Sequence, residues 1–179
     1  MIIKSFNLNT SILTQQKSFY LIYGENQSLI DEIKEKIVRE ITKKKDFSIK
    51  KYYEDFLLNN NIIYQFLNSD NLFGEKELIV IHKTTDKILN LFDENNFKIK
   101  DKKIIFISDN LAKKSKIRSL AESSSDFACI ACYNDTNEQL QSLLIEKLKY
   151  SKINISRELV NLIFEINSLN RQDINDAIN

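Results

Sequence analysis

A glycine that closes an apolar run, with a helical pattern behind it, is where many α/β proteins hold a phosphate. Residues 24–31 read GENQSLID and follow the apolar SFYLIY of residues 18–23. Phosphate chemistry at such a turn needs G-x-x-x-x-G-K-[ST]. Backbone amides cradle the oxygens, the lysine meets the β/γ charge, and the hydroxyl holds Mg²⁺. Here the second glycine and the lysine are missing, and Leu29-Ile30 fill the region where the lysine would fall. The third apolar run ends in Ile81-His82-Lys83, without acidic residues to hold a metal. The layout of a nucleotide site is kept and its reacting parts are not. We therefore expect no nucleotide hydrolysis, no catalytic residue and no cofactor.

The other reactive residue types give little chemistry. Cys129 and Cys132 form C-x-x-C inside FACIACY, an apolar strand-like run. Residues three apart on a strand face opposite ways, so shared metal ligation or a disulfide is not expected. His82 is the only histidine and has no Cys or His neighbour at ligand spacing. Lys113, Lys114, Lys116 and Arg118 form a basic run that reads as a solvated helix face; phosphate or subunit contact is the other reading. Leu72-Phe73 is the unusual pair: two large apolar residues between Asn71 and Gly74, just before a strand. As a helix end they could pack on a sheet. As an exposed pair they could enter a partner's pocket, the usual form of an interface hot spot.

The chain has 179 residues, 42% hydrophobic and 28% charged, enough to fold around a core. A net charge of +1 does not announce a nucleic-acid binder. No apolar run is long enough to span a bilayer, and the first residues lack a secretory pattern. The expected location is the cytoplasm.

The elements that would position these residues alternate. Apolar runs at 18–23, 77–82, 103–108 and 127–133 predict buried strands, and 47–53 a more exposed one. Asn26 can cap a helix in which Leu29, Ile30, Ile33, Ile37, Val38 and Ile41 repeat at helical spacing. Helices are also expected over 59–68, 86–97 and 111–122. Strand and helix in alternation predict a mostly parallel five-stranded α/β sheet with flanking helices. After residue 135 only helices are expected. Thr136 with Gln139 makes a capping box, Ser156 and Asn170 cap two further helices, and Ile155 and Leu169 can staple onto Val160 and Ile174. The last helix has only about two turns and no C-cap signal. The chain is therefore expected to be a fragment of a longer one.

Four segments in this order carry a family resemblance. FYLIYGENQSLIDE, NLFGEKELIVI, KIIFIS followed by NLAKKSKIRSLAE, and KINISRELVNLIFEIN resemble the corresponding stretches of the delta subunit of the bacterial DNA polymerase III clamp loader. The resemblance covers nearly the whole chain. It implies an AAA+-type (P-loop NTPase-like) fold with a degenerate nucleotide site over residues 1–135. It implies a helical lid domain over 136–179, truncated, with the C-terminal collar domain absent. The implied function is non-catalytic: as part of a DNA-directed DNA polymerase holoenzyme, the subunit binds the sliding clamp and favours ring opening. Implied partners are the clamp, the other loader subunits and primer–template DNA, with no membrane. The family's clamp contact is an adjacent Leu-Phe pair before a strand, which here is Leu72 and Phe73. Two other readings stay open: a divergent nucleotide-dependent AAA+ ATPase, and an α/β protein-interaction module in which the pair is buried.

Overall fold

Runs that are apolar at nearly every position are stable as strands only in a sheet covered on both faces. The computed structural model describes residues 2–4, 14, 16–43, 47–60, 62, 63, 76–92 and 102–178. In it the runs form one parallel sheet of β1 (Ile2–Lys4), β2 (Phe19–Gly24), β3 (Phe47–Tyr53), β4 (Lys76–His82), β5 (Lys102–Ser108) and β6 (Phe127–Cys132). The order is β1-β6-β2-β5-β4-β3, with every pairing parallel. All five expected strands are present. β1 is an additional edge strand that the sequence did not reveal. Three residues are too few to carry a period, and only their pairing with Cys129–Ala131 defines them.

Each face has its own core. Helix α1 (Gln27–Thr42) buries Leu29, Ile30, Ile33, Ile37 and Ile41 over Tyr20, Ile22, Val80, Ile105 and Ile130. The opposite face is covered by α2 (Glu54–Asn59), a 3-10 helix (Asp86–Leu91) and α3 (Lys116–Ser123). Their Leu57, Ile88, Ile117 and Ala121 pack on Phe19, Leu21, Ile79, Ile81 and Phe106. Phe127 ties this layer together, with its ring 4.9 Å from Phe19 and 6.0 Å from Phe106. Each fully buried side chain of this size contributes about 1.5–3 kcal/mol of transfer free energy. Cys129 and Cys132 fall into the two different cores, because alternate strand residues face opposite ways.

The helices between strands depart from the sequence reading. α2 (Glu54–Asn59) is an additional helix that the sequence reading did not expect, ahead of the expected helix over 59–68. Of that segment the structure describes residues 59, 60, 62 and 63; Ile62 and Ile63 are helical, as expected, and Ile63 is buried. The segment expected to be helical over 86–97 is described to residue 92 and holds a 3-10 helix, Asp86–Leu91, with Ile88 and Phe92 inward. The helix expected over 111–122 starts only at Lys116, where Ser115 accepts a hydrogen bond from the Arg118 amide and caps it.

The chain divides into two compact units, Met1–Cys132 and Tyr133–Asn179. The second contains α4 (Asn137–Tyr150), α5 (Arg157–Ile166) and α6 (Arg171–Ala177). Local sequence sets all three starts. Thr136 with Gln139 and Asn170 with Asp173 form capping boxes, and the Ser156 side chain accepts from the Leu159 amide. The core of this unit is small: Leu140, Leu144, Val160 and Ile174. Among the described residues no helix is long and apolar enough to cross a membrane.

Candidate functional site

β2 lies between β5 and β6, and the carboxyl end of such a strand is where open α/β sheets place their ligands. The turn there is short. β2 ends at Gly24, Asn26 is already the N-cap of α1, and its side chain accepts from the Leu29 amide at 3.1 Å. Gly24 has φ +149°, and a Cβ on it would lie 2.0 Å from the Cys132 carbonyl oxygen. The same carbonyl accepts from the Asn26 amide at 3.2 Å. The glycine thus serves close approach of two backbones, not a phosphate.

The surroundings of this turn are acidic. Asn110 Nδ2 donates to Glu25 Oε1 at 2.7 Å, and Gln27 Nε2 donates to Asp109 Oδ1 at 3.2 Å. Both carboxylates are held by neighbouring side-chain amides, and residues 24–31 supply no lysine to meet a phosphate. Leu29, in the first turn of α1, is buried rather than presenting a cation. These residues do not fit a nucleoside triphosphate with Mg²⁺. Calorimetric titration with ATP is expected to give no saturable heat, and micromolar binding would overturn this reading.

The acidic residues beside the ends of β4 and β5 are engaged by the protein itself. Glu54, 3% exposed, accepts from the Thr85 amide at 2.8 Å and the Thr85 hydroxyl at 2.7 Å. Asp86 accepts from Ser115 Oγ at 2.6 Å and the Ile117 amide at 3.0 Å. Burial pushes the Asp86 carboxyl up, but these bonds and the nearby Lys116 together hold it below the ordinary carboxylate value. Ser108 Oγ donates to the Thr84 carbonyl and the Thr84 amide to the Ile107 carbonyl, locking β4 to β5. Sequence reasoning missed this network, because its members are far apart in the chain.

The basic run does not form one solvated helix face. Lys113 and Lys114 lie in a turn before α3. Arg118 is 8% exposed. Its Nε pairs with Glu122 at 2.7 Å, Nη1 donates to the Leu111 carbonyl at 2.9 Å, and the guanidinium lies 5.1 Å from the Tyr23 ring centre. The Arg118–Glu122 spacing was the available signal. His82 is half-buried at the end of β4, and burial holds its pKa below the ordinary value. Burial pushes the Cys129 thiol up to about 11, so it is a core residue rather than a nucleophile. Leu72 and Phe73 lie outside the described residues. The described chain reaches Ile63, 1% exposed, and resumes at Lys76 with β4.

No protein-family model matches the sequence. A curated relative, a probable DNA polymerase III subunit delta from Rickettsia prowazekii, is 28% identical over 147 residues, covering 78% of this chain. The match covers 42% of that relative's length. Among solved structures, the replication initiator DnaA bound to AMPPCP and single-stranded DNA has a TM-score of 0.59 at 15% identity, covering 94% of this chain and 57% of its own. AMPPCP-bound DnaA from Aquifex aeolicus has a TM-score of 0.56 at 16% identity, with the same coverage. In sequence the chain is similar to the DNA polymerase III delta subunit, and its fold is the AAA+-type α/β fold of the replication initiators.

Proposed function

We propose that this chain is the clamp-binding part of a delta-type clamp-loader subunit, acting in DNA replication without nucleotide chemistry of its own. The observation that carries the reading is the sequence similarity to a delta subunit, together with Leu72-Phe73 placed before β4. In this reading Met1–Cys132 is a degenerate AAA+ domain and Tyr133–Asn179 belongs to a helical lid. Leu72 and Phe73 anchor in a pocket of the sliding clamp. Binding that prefers the open ring shifts the clamp toward opening. The other loader subunits and primer–template DNA are partners in the assembled complex, and the setting is the cytoplasm.

The Gly24 turn, which has no lysine and is followed by the buried Leu29, supports this over the reading as a divergent ATPase. The test is binding to a bacterial sliding clamp, wild type against Leu72→Ala/Phe73→Ala, with circular dichroism on both. A folded double variant is expected to bind at least about 30-fold more weakly, as for the loss of a hot spot. Unfolding of the variant would make the pair core and favour a plain interaction module. Failure of the wild type to bind would remove the functional reading.

A further inference from the structure

One strip of the sheet is left bare on the face that α1 covers elsewhere. Parallel register places Ile49 beside Leu78, Lys51 beside Val80 and Tyr53 beside His82. Leu78 and Val80 belong to the core beneath α1, so Ile49, Lys51 and Tyr53 share that face. Among the described residues nothing covers them: Ile49 is 43% and Tyr53 60% exposed. The other face of β3 is occupied, with Tyr52 stacked on Phe56 at 5.9 Å and Lys50 paired to Glu77 at 2.8 Å.

The bare strip combines a ring with positive charge. The Tyr53 ring lies 5.7 Å from the His82 ring, which backs it without hiding it. Lys51 is exposed on the strip itself. Lys34 of α1 acts on His82 from the helix side, its charge partly offset by Asp31 at 2.5 Å. After burial, Lys34 and Lys51 are the charges that lower the pKa of His82. An open aromatic face amid lysines, on a rigid strand, matches what a flexible polyanion with stackable bases requires.

We propose that this strip contacts single-stranded nucleic acid, with one base stacked on Tyr53 and the neighbouring phosphates on Lys51 and Lys34. The proposal is independent of the clamp contact through Leu72 and Phe73. Tyr53 is the N-cap residue of α2 but makes no side-chain capping bond, so its ring can be removed without uncapping the helix.

The experiment is fluorescence anisotropy of a labelled oligo-dT with the whole chain, at several salt concentrations between 50 and 200 mM. Two phosphate contacts give a log–log salt slope of about −1.4, at about 0.7 per phosphate on a single strand. Tyr53→Ala is expected to weaken binding about 5- to 100-fold with the slope unchanged, and Tyr53→Phe to retain it. Lys51→Ala is expected to flatten the slope by about 0.7. Lys113→Ala/Lys114→Ala, in the turn before α3, is the control and is expected to change neither. The proposal is overturned if oligo-dT does not bind at 50 mM salt. It is equally overturned if Tyr53→Ala and Lys51→Ala bind like wild type, or if the control loses as much as they do.

Discussion

Gly24→Ala is expected to destabilise the α/β unit severely. The added methyl would sit 2.0 Å from the Cys132 carbonyl oxygen and 2.6 Å from its carbon, both backbone atoms of the neighbouring strand. Neither can move without opening the β2–β6 ladder, which pairs Gly24 directly with Cys132. A φ of +149° adds backbone strain that a Cβ does not tolerate. Steric overlap of this kind belongs to the short list of single changes that cost more than about 4 kcal/mol. For a chain of this size that is a loss of roughly 10 °C or more in Tm. Thermal unfolding followed by circular dichroism checks it. A variant that melts within 2 °C or so of wild type would mean that the turn can be rebuilt without glycine. Gly24 would then be free for another role.

The second large effect is expected in the helical unit. Arg171 Nε donates to Asp135 Oδ2 at 2.8 Å and Nη2 to Oδ1 at 2.6 Å. The two side chains are only 11% and 7% exposed. A bidentate pair in such surroundings is charge-assisted and geometrically fixed. Removing one partner takes the bidentate counter-ion away from a charge that stays buried, at a cost of about 3–5 kcal/mol. The unit has little to set against that loss, because its buried apolar core is four residues, Leu140, Leu144, Val160 and Ile174. Arg171→Ala should therefore abolish hydrogen-exchange protection across α4, α5 and α6. The protection of β2, β5 and β6 provides the internal reference. Asp135→Leu/Arg171→Met, which removes both charges, should recover much of the protection, since replacing both ions by apolar groups is often neutral. Unchanged protection in Arg171→Ala would show that the caps and the apolar core hold the helices without the pair.

Both expectations concern positions whose roles read differently in one dimension. Gly24 stood in the sequence as the remnant of a phosphate turn, whereas in three dimensions it serves β6. Arg171 read only as the first residue after a cap, because its partner is 36 positions away. The same limit explains Arg118. In the chain it belongs to a run of cations, but in the fold it is drawn under Leu111 and over Tyr23, so that run splits into a turn and a buried pair.

What the sequence determined by itself was everything that rests on local period and local hydrogen bonding. Apolar runs and the helical repeat from Leu29 to Ile41 fixed four strands and the long helix, since burial on both faces demands apolar residues throughout a strand, and weak alternation gave the exposed strand at 47–53. Thr136, Ser156 and Asn170 fixed three helix starts, because a cap and its amide lie within three residues of each other. The lost lysine after Gly24 and the segments resembling a delta subunit were equally legible. Tertiary structure alone decided the strand order, the edge strand at Ile2–Lys4, the meaning of Gly24 and the bare strip at Ile49, Lys51 and Tyr53. Each of these depends on residues brought together from distant parts of the chain. The free energy that selects them, whether steric overlap or ion pairing, exists only once those residues meet.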